Sequence, residues 1–308
     1  MRVFVAGATG AIGRPLVRQL VEAGHEVTGT TRSESRAREL RDAGAKPAVC
    51  DALDAAALRA AVERAQPEVA IHQLTDLPQE WSMRYQYGAT GRLRSEAGRN
   101  LIEAAQAAGA RRVLAQSIAF VYAPTGGPVK DEEAPTMRGL SGAMAEAMES
   151  TFDLEQTVTG AEGIEGVVLR YGFFYGPGTW YTAGTKLAHA VRKRRVPIVG
   201  GGGGTFSFVH VEDAAAATVA ALDRGVPGIY NVVDDAPATY AEWVREIAQL
   251  VGGPPPRRVP LWLGRFFAGR NAVMAATLRG ASNAKAKREL GWQPRYPDWR
   301  EGFRQAFT

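Results

Sequence analysis

The stretch that decides the fold is Val3-Phe4-Val5-Ala6-Gly7-Ala8-Thr9-Gly10-Ala11-Ile12-Gly13, close to the first residue. It joins an apolar strand to a helix through three glycines, and this pattern predicts a dinucleotide-binding loop. Gly7 would allow the tight turn, Gly10 the close approach of a phosphate, and Gly13 the packing of the helix on the strand. The predicted cofactor contacts in this stretch are Gly7, Thr9, Gly10, Ala11, Ile12 and Gly13.

The residues after this loop complete a strand–helix–strand unit. Apolar residues recur at helical spacing from Ile12 to Val21, Gly24 ends the helix, and residues 26–31 alternate as a second strand. This context supports nucleotide binding. The alternative is a glycine turn in an α/β protein that binds no nucleotide.

The end of the second strand indicates which dinucleotide binds. A carboxylate at this place accepts hydrogen bonds from the adenosine ribose, whereas an arginine accommodates a 2′-phosphate. The chain has Thr30-Thr31-Arg32-Ser33 here, and Arg36 follows closely. Arg32 and Ser33 are therefore predicted cofactor contacts, and NADP(H) is expected in preference to NAD(H). The alternative is that Arg32 only faces solvent.

The composition is that of an ordinary globular protein and argues against several classes of function. The 308 residues are 45% hydrophobic, which is enough for a substantial core. The net charge of +5 is slight and the longest basic tract is only Arg192-Lys193-Arg194-Arg195, so we expect no nucleic-acid partner. Cys50 is the only cysteine and the four histidines are scattered, which argues against a disulfide or a metal site.

Two further features concern membranes and location. The most apolar late segment, residues 259–268, is interrupted by Pro260 and Arg265 and is too short to span a bilayer. The chain enters a strand at once, without a basic flank and a cleavable apolar helix. We therefore expect a cytoplasmic protein with no membrane partner.

Strands and helices alternate through the first half of the chain, which predicts a parallel sheet with helices on both faces. The predicted strands that follow the first two are 46–50, 69–72, 112–116 and 166–169, and the predicted helices between them are 54–64, 96–108 and 139–159. This is an α/β fold with a Rossmann-type, doubly wound sheet.

After residue 171 the sequence becomes glycine-rich and aromatic, which is typical of a smaller, substrate-facing lobe. The predicted Rossmann domain for NADP is 1–171, with elements that return from about 206–235. The predicted C-terminal substrate-binding lobe is 172–205 together with 236–308.

With these motifs, the chain resembles the extended short-chain dehydrogenase/reductase family, the group labelled epimerase/dehydratase. The resemblance runs almost end to end and covers the opening loop with residues 50–54, 169–178, 208–213, 230–235 and 285–294. It implies that Asp51 contacts the adenine and that the stretch around Tyr171 and Phe173 borders the nicotinamide. The remaining predicted cofactor contacts near strand ends are Ala52, Leu74 and Ser117.

Typical members of this family carry a Ser or Thr after the fifth strand and a Tyr-x-x-x-Lys on the next helix. Their tyrosine exchanges a proton with the substrate, and the lysine lowers the tyrosine's pKa. This chain has no tyrosine between Tyr122 and Tyr171 and no lysine between Lys130 and Lys186, so the pair is absent.

The predicted catalytic residues are Ser117, Tyr122 and Tyr171. The resemblance implies Ser117 at the family's Ser/Thr position after a shift of one residue from Ile118, and the two tyrosines follow strand ends on the cofactor side. The alternative for Ser117 is a structural role that caps its strand. The alternative for each tyrosine is aromatic packing over the cofactor or substrate.

Three functions follow from these observations. The first is an NADP(H)-dependent oxidoreductase that acts on a small carbonyl- or imine-type substrate without the usual Tyr-x-x-x-Lys pair. The second is an NADP(H)-binding sensor without turnover, and the third is an epimerase or dehydratase that retains its cofactor. The expected partner is a small-molecule substrate, and the resemblance also implies a homodimer that pairs through helices 96–108 and 139–159.

Overall fold

The structure, a computed structural model, describes residues 1–78, 88–140, 142–268 and 270–307. Its strands are β1 (Arg2–Ala6), β2 (Glu26–Thr31), β3 (Lys46–Val49), β4 (Val69–His72), β5 (Arg112–Ile118), β6 (Val129–Lys130), β7 (Glu165–Tyr171), β8 (Phe173–Tyr175), β9 (Ile198–Val199), β10 (Thr205–Phe206), β11 (Phe208–His210), β12 (Gly228–Val232), β13 (Ala238–Thr239), β14 (Arg258–Val259) and β15 (Gly280–Ala281). Its helices are α1 (Gly13–Glu22), α2 (Glu34–Asp42), α3 (Ala55–Ala65), α4 (Gly88–Ala107), α5 (Ala143–Thr159), α6 (Lys186–Arg192), α7 (Val211–Ala220), α8 (Tyr240–Leu250), α9 (Leu261–Ala268), α10 (Arg270–Thr277), α11 (Ala284–Leu290) and α12 (Trp299–Ala306).

Seven parallel strands form the main sheet in the order β12-β7-β5-β4-β1-β2-β3. The chain runs outward from β1 to β3 and then returns to place β4 on the other side of β1. In open α/β sheets, ligands bind at the carboxyl ends of the strands where the order reverses in this way. The expected site is therefore the crevice above β1 and β4.

Apolar residues on both faces of the sheet explain its position in the core. On one face Leu16 and Leu20 of α1 pack with α7, and on the other face Leu101 and Leu154 pack from α4 and α5. Parallel strands that are covered on both faces are expected to carry continuous apolar runs, as residues 69–71 of β4 and residues 113–115 of β5 do. The predicted α/β fold with a doubly wound parallel sheet is confirmed.

Two predicted helices begin several residues away from their predicted starts. Helix α4 begins at Gly88 rather than at residue 96, and its added turns contain Arg94, which donates a hydrogen bond to Thr151 of α5 at 2.7 Å. Helix α5 begins at Ala143 rather than at residue 139, because Gly142 has a φ of +69° that is incompatible with a helix. A tertiary contact therefore accompanies the earlier start of α4, and the backbone conformation of Gly142 accounts for the later start of α5.

A separate aromatic core lies beneath α6, α8 and α12. Its centre is Phe208, whose ring lies 5.1 Å from that of Phe303 and 5.8 Å from that of Trp299. This core supports the segment after β8 that lies next to the glycine loop. Within the described ranges, every helix is too short or too polar to cross a bilayer.

Candidate cofactor and active site

The glycine loop after β1 has little room for side chains at two of its three glycines. Gly7 has a φ of +92°, and a Cβ there would lie 2.5 Å from the carbonyl oxygen of Gln73. A Cβ on Gly13 would lie 2.3 Å from the carbonyl oxygen of Gly7. Both residues are therefore required by the fold itself, because any side chain would overlap backbone atoms.

Gly10 differs from these two glycines. A Cβ on Gly10 would find its nearest neighbour, the carbonyl oxygen of Gly7, at 3.4 Å, so the protein alone would tolerate a side chain there. A glycine at a place that the fold leaves open fits the close approach of a phosphate.

The loop forms one side of a cleft at the carboxyl ends of β1 to β4. The predicted cofactor contacts that line this cleft are Gly7, Thr9, Gly10, Arg32, Ser33, Asp51, Ala52 and Leu74. Ala11 follows Gly10 in the loop, Ile12 occupies the N-cap position of α1 and Gly13 begins the helix. The first turn of α1 is thus at the cleft, where its N–H groups favour an anion.

Charged side chains lie at the end of the cleft formed by β2 and β3. Arg32 is 66% exposed, and its Nη2 lies 3.8 Å from Oδ1 of Asp76. Arg36 lines the same cleft, and Asp51 is exposed at the end of β3, where its Oδ1 accepts a hydrogen bond from the N–H of Leu53. The local arginines are suited to an anionic group on an adenosine ribose.

Gln73 contributes a polar group that sequence reasoning missed. Its side-chain Nε2 donates a hydrogen bond to the hydroxyl of Tyr171 at 3.2 Å, whereas its buried Oε1 has no hydrogen-bond partner among the described residues. A buried acceptor without a partner is costly unless a ligand or water satisfies it. With the space at Gly10 and the exposed Arg32, this acceptor fits a bound dinucleotide; the available signal was its place directly after β4.

The segment after β8 covers the glycine loop. A Cβ on Gly178 would lie 3.8 Å from the Cβ of Ala11, and the indole Nε1 of Trp180 donates a hydrogen bond to the carbonyl oxygen of Pro78 at 2.9 Å. These contacts place the segment above the loop that would hold the pyrophosphate. The cleft is therefore bounded by the glycine loop and by the segment after β8.

Ser117 is buried in a network of hydrogen bonds beneath α5. Its hydroxyl donates to Oε1 of Glu155 at 2.5 Å. The same carboxylate accepts two bonds from the guanidinium of Arg170, at 2.7 and 2.6 Å. Burial would lower the pKa of Arg170, but its bonds with Glu155 outweigh burial and raise that pKa. Ser117 therefore joins a buried ion pair in this structure.

Tyr122 belongs to the same network. Its hydroxyl donates to Oδ1 of Asn231 at 2.6 Å and accepts from Arg170 at 3.2 Å. Burial raises the pKa of Tyr122 although Arg170 opposes that shift. Glu155 and Asn231 were not found from the sequence, because they contact Ser117 or Tyr122 only across the folded sheet.

Tyr171 lies on the opposite face of the sheet and is also fully buried. Its hydroxyl is 2.6 Å from that of Thr218 on α7, in addition to its bond with Gln73. Burial raises the pKa of Tyr171 to about 12. The structure thus brings Ser117 and Tyr122 together, separates Tyr171 from them, and leaves all three with intramolecular partners.

Phe173 is half-buried on β8 and stacks on Phe120, with ring centroids 4.4 Å apart and an interplanar angle of 13°. These two aromatic rings follow the ends of β7 and β5, next to the predicted nicotinamide side. Among the residues that the structure describes, no group of three or more His, Cys, Asp or Glu side chains is arranged to hold a metal ion.

Comparisons with known proteins agree with this geometry. A model of the NAD-dependent epimerase/dehydratase family matches residues 3–232. The 3-diazoavenalumate denitrifying reductase of a Streptomyces species is 44% identical over 310 residues, which span 98% of this chain and 99% of the relative.

Two solved structures share the fold at lower identity. UDP-glucose 4-epimerase from Thermotoga maritima, solved with UDP-glucose, has a TM-score of 0.78 at 20% identity and covers 99% of this chain and 97% of its own. UDP-glucose 4-epimerase from Thermus thermophilus, solved with NAD, has a TM-score of 0.74 at 24% identity and the same coverage of both chains. The family match extends over most of the chain and includes the glycine loop and the sheet, so this protein belongs to the NAD-dependent epimerase/dehydratase family.

Proposed function

We propose that the chain is an NADP(H)-dependent reductase of a small electrophilic substrate. The observation that carries this proposal is the exposed Arg32 at the end of β2, with Arg36 beside it in the same cleft. The last two residues of β2 are Thr30 and Thr31, so β2 does not end in the carboxylate that would favour a free ribose hydroxyl. The 44% identical relative is itself named a reductase, which supports net reduction over epimerisation.

When bound, NADPH supplies a hydride. The residues of this chain would hold the NADPH and shield its nicotinamide from water. The N–H groups at the start of α1 face the expected pyrophosphate, and the free Oε1 of Gln73 can accept a hydrogen bond from the bound molecule. The segment around Gly178 covers the loop and limits the access of water.

The source of the proton is what distinguishes this chain from typical family members. The hydroxyls of Ser117, Tyr122 and Tyr171 are buried and bonded within the protein. A tyrosine whose pKa is about 12 is a weaker acid than an ordinary tyrosine, whose pKa is about 10. We therefore propose that the substrate accepts a hydride without a proton from these groups.

A cationic imine has this property. Hydride adds to its carbon, the electron pair of the C=N bond moves to nitrogen, and the product is a neutral amine. A neutral ketone differs because its oxygen becomes an alkoxide that must be protonated. Within the carbonyl and imine class, the buried hydroxyls therefore favour the imine.

The relative from Streptomyces favours a second substrate class, since its name describes a reductase that denitrifies a diazo compound. With an aryl diazonium ion, hydride would form a C–H bond at the ring carbon. The C–N bond would break, and dinitrogen would leave as a neutral molecule with the electron pair of that bond. This reaction also balances without a proton from the protein.

The test is turnover of three electrophiles by the purified protein: a ketone, a cyclic iminium ion and an aryl diazonium salt. The cofactor would be NADPH or NADH with deuterium at the nicotinamide C4, and product mass would be measured beside a reaction without protein. We expect deuterium in the product of a cationic electrophile, with higher kcat/KM for NADPH. Binding of NADPH without oxidation of any of them would instead support a sensor, and an isomerised or dehydrated product without net cofactor use would support the third function.

A further inference from the structure

The ion pair between Arg32 and Asp76 spans the adenosine end of the cleft. Arg32 follows β2 and Asp76 follows β4, and these two strands flank β1 in the sheet. Their closest charged atoms are 3.8 Å apart, across the mouth of the glycine loop that ends β1. A carboxylate therefore faces the arginine that the proposed function assigns to the 2′-phosphate.

The backbone of Asp76 helps to fix its position. Its N–H donates a hydrogen bond to the hydroxyl of Thr90 on α4 at 3.1 Å. Thr75, its neighbour, lines the cleft together with Arg32. The backbone bond to Thr90 thus keeps residue 76 close to the site, and a substitution of the side chain would leave this bond in place.

The ion pair is also of a kind that opens readily. The Arg32 and Asp76 side chains are 66% and 50% exposed, and ion pairs with such exposure contribute little because water screens them. A phosphate dianion attracts the same guanidinium more strongly and can bind it through two parallel hydrogen bonds. Asp76 and the phosphate would then be two negative groups at one arginine, so each disfavours the other.

Arg36 gives the site a second cation, and among the described residues it forms no ion pair with Asp76. It lines the cleft, and no carboxylate partner is within ion-pair distance of it in the described part of the chain. Arg36 would therefore attract the 2′-phosphate in either state of the Arg32–Asp76 pair.

We propose that Asp76 is a specificity-determining residue that limits the preference for the 2′-phosphorylated cofactor by competing with its phosphate for Arg32. This inference rests on the proposed function, because it requires the 2′-phosphate to lie at Arg32. Cofactors without that phosphate leave the ion pair intact. Removal of the Asp76 charge should therefore strengthen binding of NADPH and change binding of NADH little.

The test is the dissociation constant of NADPH and of NADH for the full-length protein, measured by calorimetry at low and high salt. We expect Asp76→Asn to bind NADPH about three- to tenfold more tightly and NADH less than about twofold differently. The gain should shrink at high salt, since ions screen exposed charges. Asp42→Asn is the matched control, because it removes one exposed negative charge at the far end of α2 and should change neither constant.

Arg32→Ala and the double variant separate this inference from the proposed function. If Arg32→Ala weakens NADPH binding but Asp76→Asn leaves it unchanged, the role of Asp76 is wrong and the NADP(H) preference stands. An equal gain for NADPH and NADH would also overturn it, because Asp76 would then act on the pyrophosphate that both share. If Arg32→Ala does not alter the preference, the assignment of the 2′-phosphate fails, and this inference fails with it. In the double variant we expect most of the Asp76→Asn gain to disappear.

Discussion

The carboxyl ends of β1 to β4 and those of β5 and β7 lie along the same edge of one sheet, but their polar groups are used in opposite ways. On the first side, Gln73 keeps a buried acceptor without a partner in the described structure, and Arg32 is exposed. On the second side, Ser117 and Arg170 are both bonded to the buried carboxylate of Glu155. We propose that the first region holds the ligand. In the second region the hydroxyls of Ser117 and Tyr122 are bonded within the protein, and the Nδ2 of Asn231 is the atom of this network that has no partner among the described residues.

This difference changes how the missing Tyr-x-x-x-Lys pair is interpreted. A hydroxyl at a strand end is a candidate for catalysis only if it can reach the substrate. The hydroxyls of Ser117 and Tyr122 instead complete the shell of a buried ion pair, which would be costly to leave unsatisfied. These bonds support the proposed kind of substrate, which needs hydride alone.

The largest expected effect concerns the buried network around Glu155, at the ends of β5 and β7. Glu155→Ala leaves the guanidinium of Arg170 buried without its carboxylate, so we expect the free energy of unfolding to fall by about 3 to 5 kcal/mol in denaturant titrations. Glu155→Gln keeps the volume and one acceptor, which makes it the variant to use if the alanine protein does not fold. Glu149→Ala, an exposed acid on the same helix, is the control and should change little. A loss below about 1 kcal/mol for both Glu155 variants would contradict the importance of the network.

The next effect concerns His72, at the boundary between the two regions. Burial lowers the pKa of His72 to about 4, and one ring nitrogen lies 2.9 Å from the carbonyl oxygen of Leu93. In the unfolded state His72 is therefore protonated as the pH falls through about 6.5, whereas in the folded state it is protonated only near pH 4. We expect stability from this group to be complete above pH 6.5 and to decline by about 3 kcal/mol as the pH falls to 4.

The measurement is the free energy of unfolding of the wild type and of His72→Gln across this pH range. The variant should have a flatter pH dependence, because its amide does not titrate. Parallel curves for the two proteins would show that His72 is not the source of the decline.

A smaller effect is expected in the glycine loop, at the carboxyl ends of β1 to β4. Gly10→Ala adds a methyl group where the protein has room but where a phosphate would lie, so we expect unchanged thermal stability and at least a roughly tenfold loss of NADPH affinity. That loss corresponds to about 1.4 kcal/mol. Gly127→Ala is the control, because a Cβ on Gly127 meets nothing within 4 Å and lies outside the cleft. Full NADPH affinity in Gly10→Ala would show that the phosphate lies elsewhere.

The smallest effect decides the role of Ser117. Ser117→Ala removes one hydrogen bond from Glu155, which keeps both bonds from Arg170, so we expect a loss of stability of about 1 kcal/mol. Turnover with the substrate found by the electrophile test should fall less than about threefold, as for a residue whose role is structural. A fall of about a hundredfold or more would restore Ser117 to the catalytic role predicted from the sequence.

Much of the cofactor side followed from the sequence because its rules act over short distances. The three glycines, the strand before them and the helix after them lie within a few residues of one another, so local sterics and periodicity suffice to predict the loop. Arg32 was predicted from its place after β2, and Asp51 was implied by the family resemblance. Both residues line one cleft in the structure, because the carboxyl ends of neighbouring parallel strands meet at one edge. Gln73 was missed although it directly follows β4, and Asp76 was missed because nothing in its local sequence distinguishes it from an ordinary loop residue.

The sequence by itself thus determined the α/β sheet, the dinucleotide loop and the absence of Tyr-x-x-x-Lys. Only the tertiary structure decided which hydroxyls are accessible. In the pairing of β5 with β7, Ser117 lies beside Arg170, and its neighbour Ile118 lies beside Tyr171. Because side chains alternate between the faces of a strand, this register directs Ser117 towards Glu155 of α5 and Tyr171 towards Thr218 of α7. A side chain's face and its distant partners depend on how separate segments pack, and no local pattern encodes that.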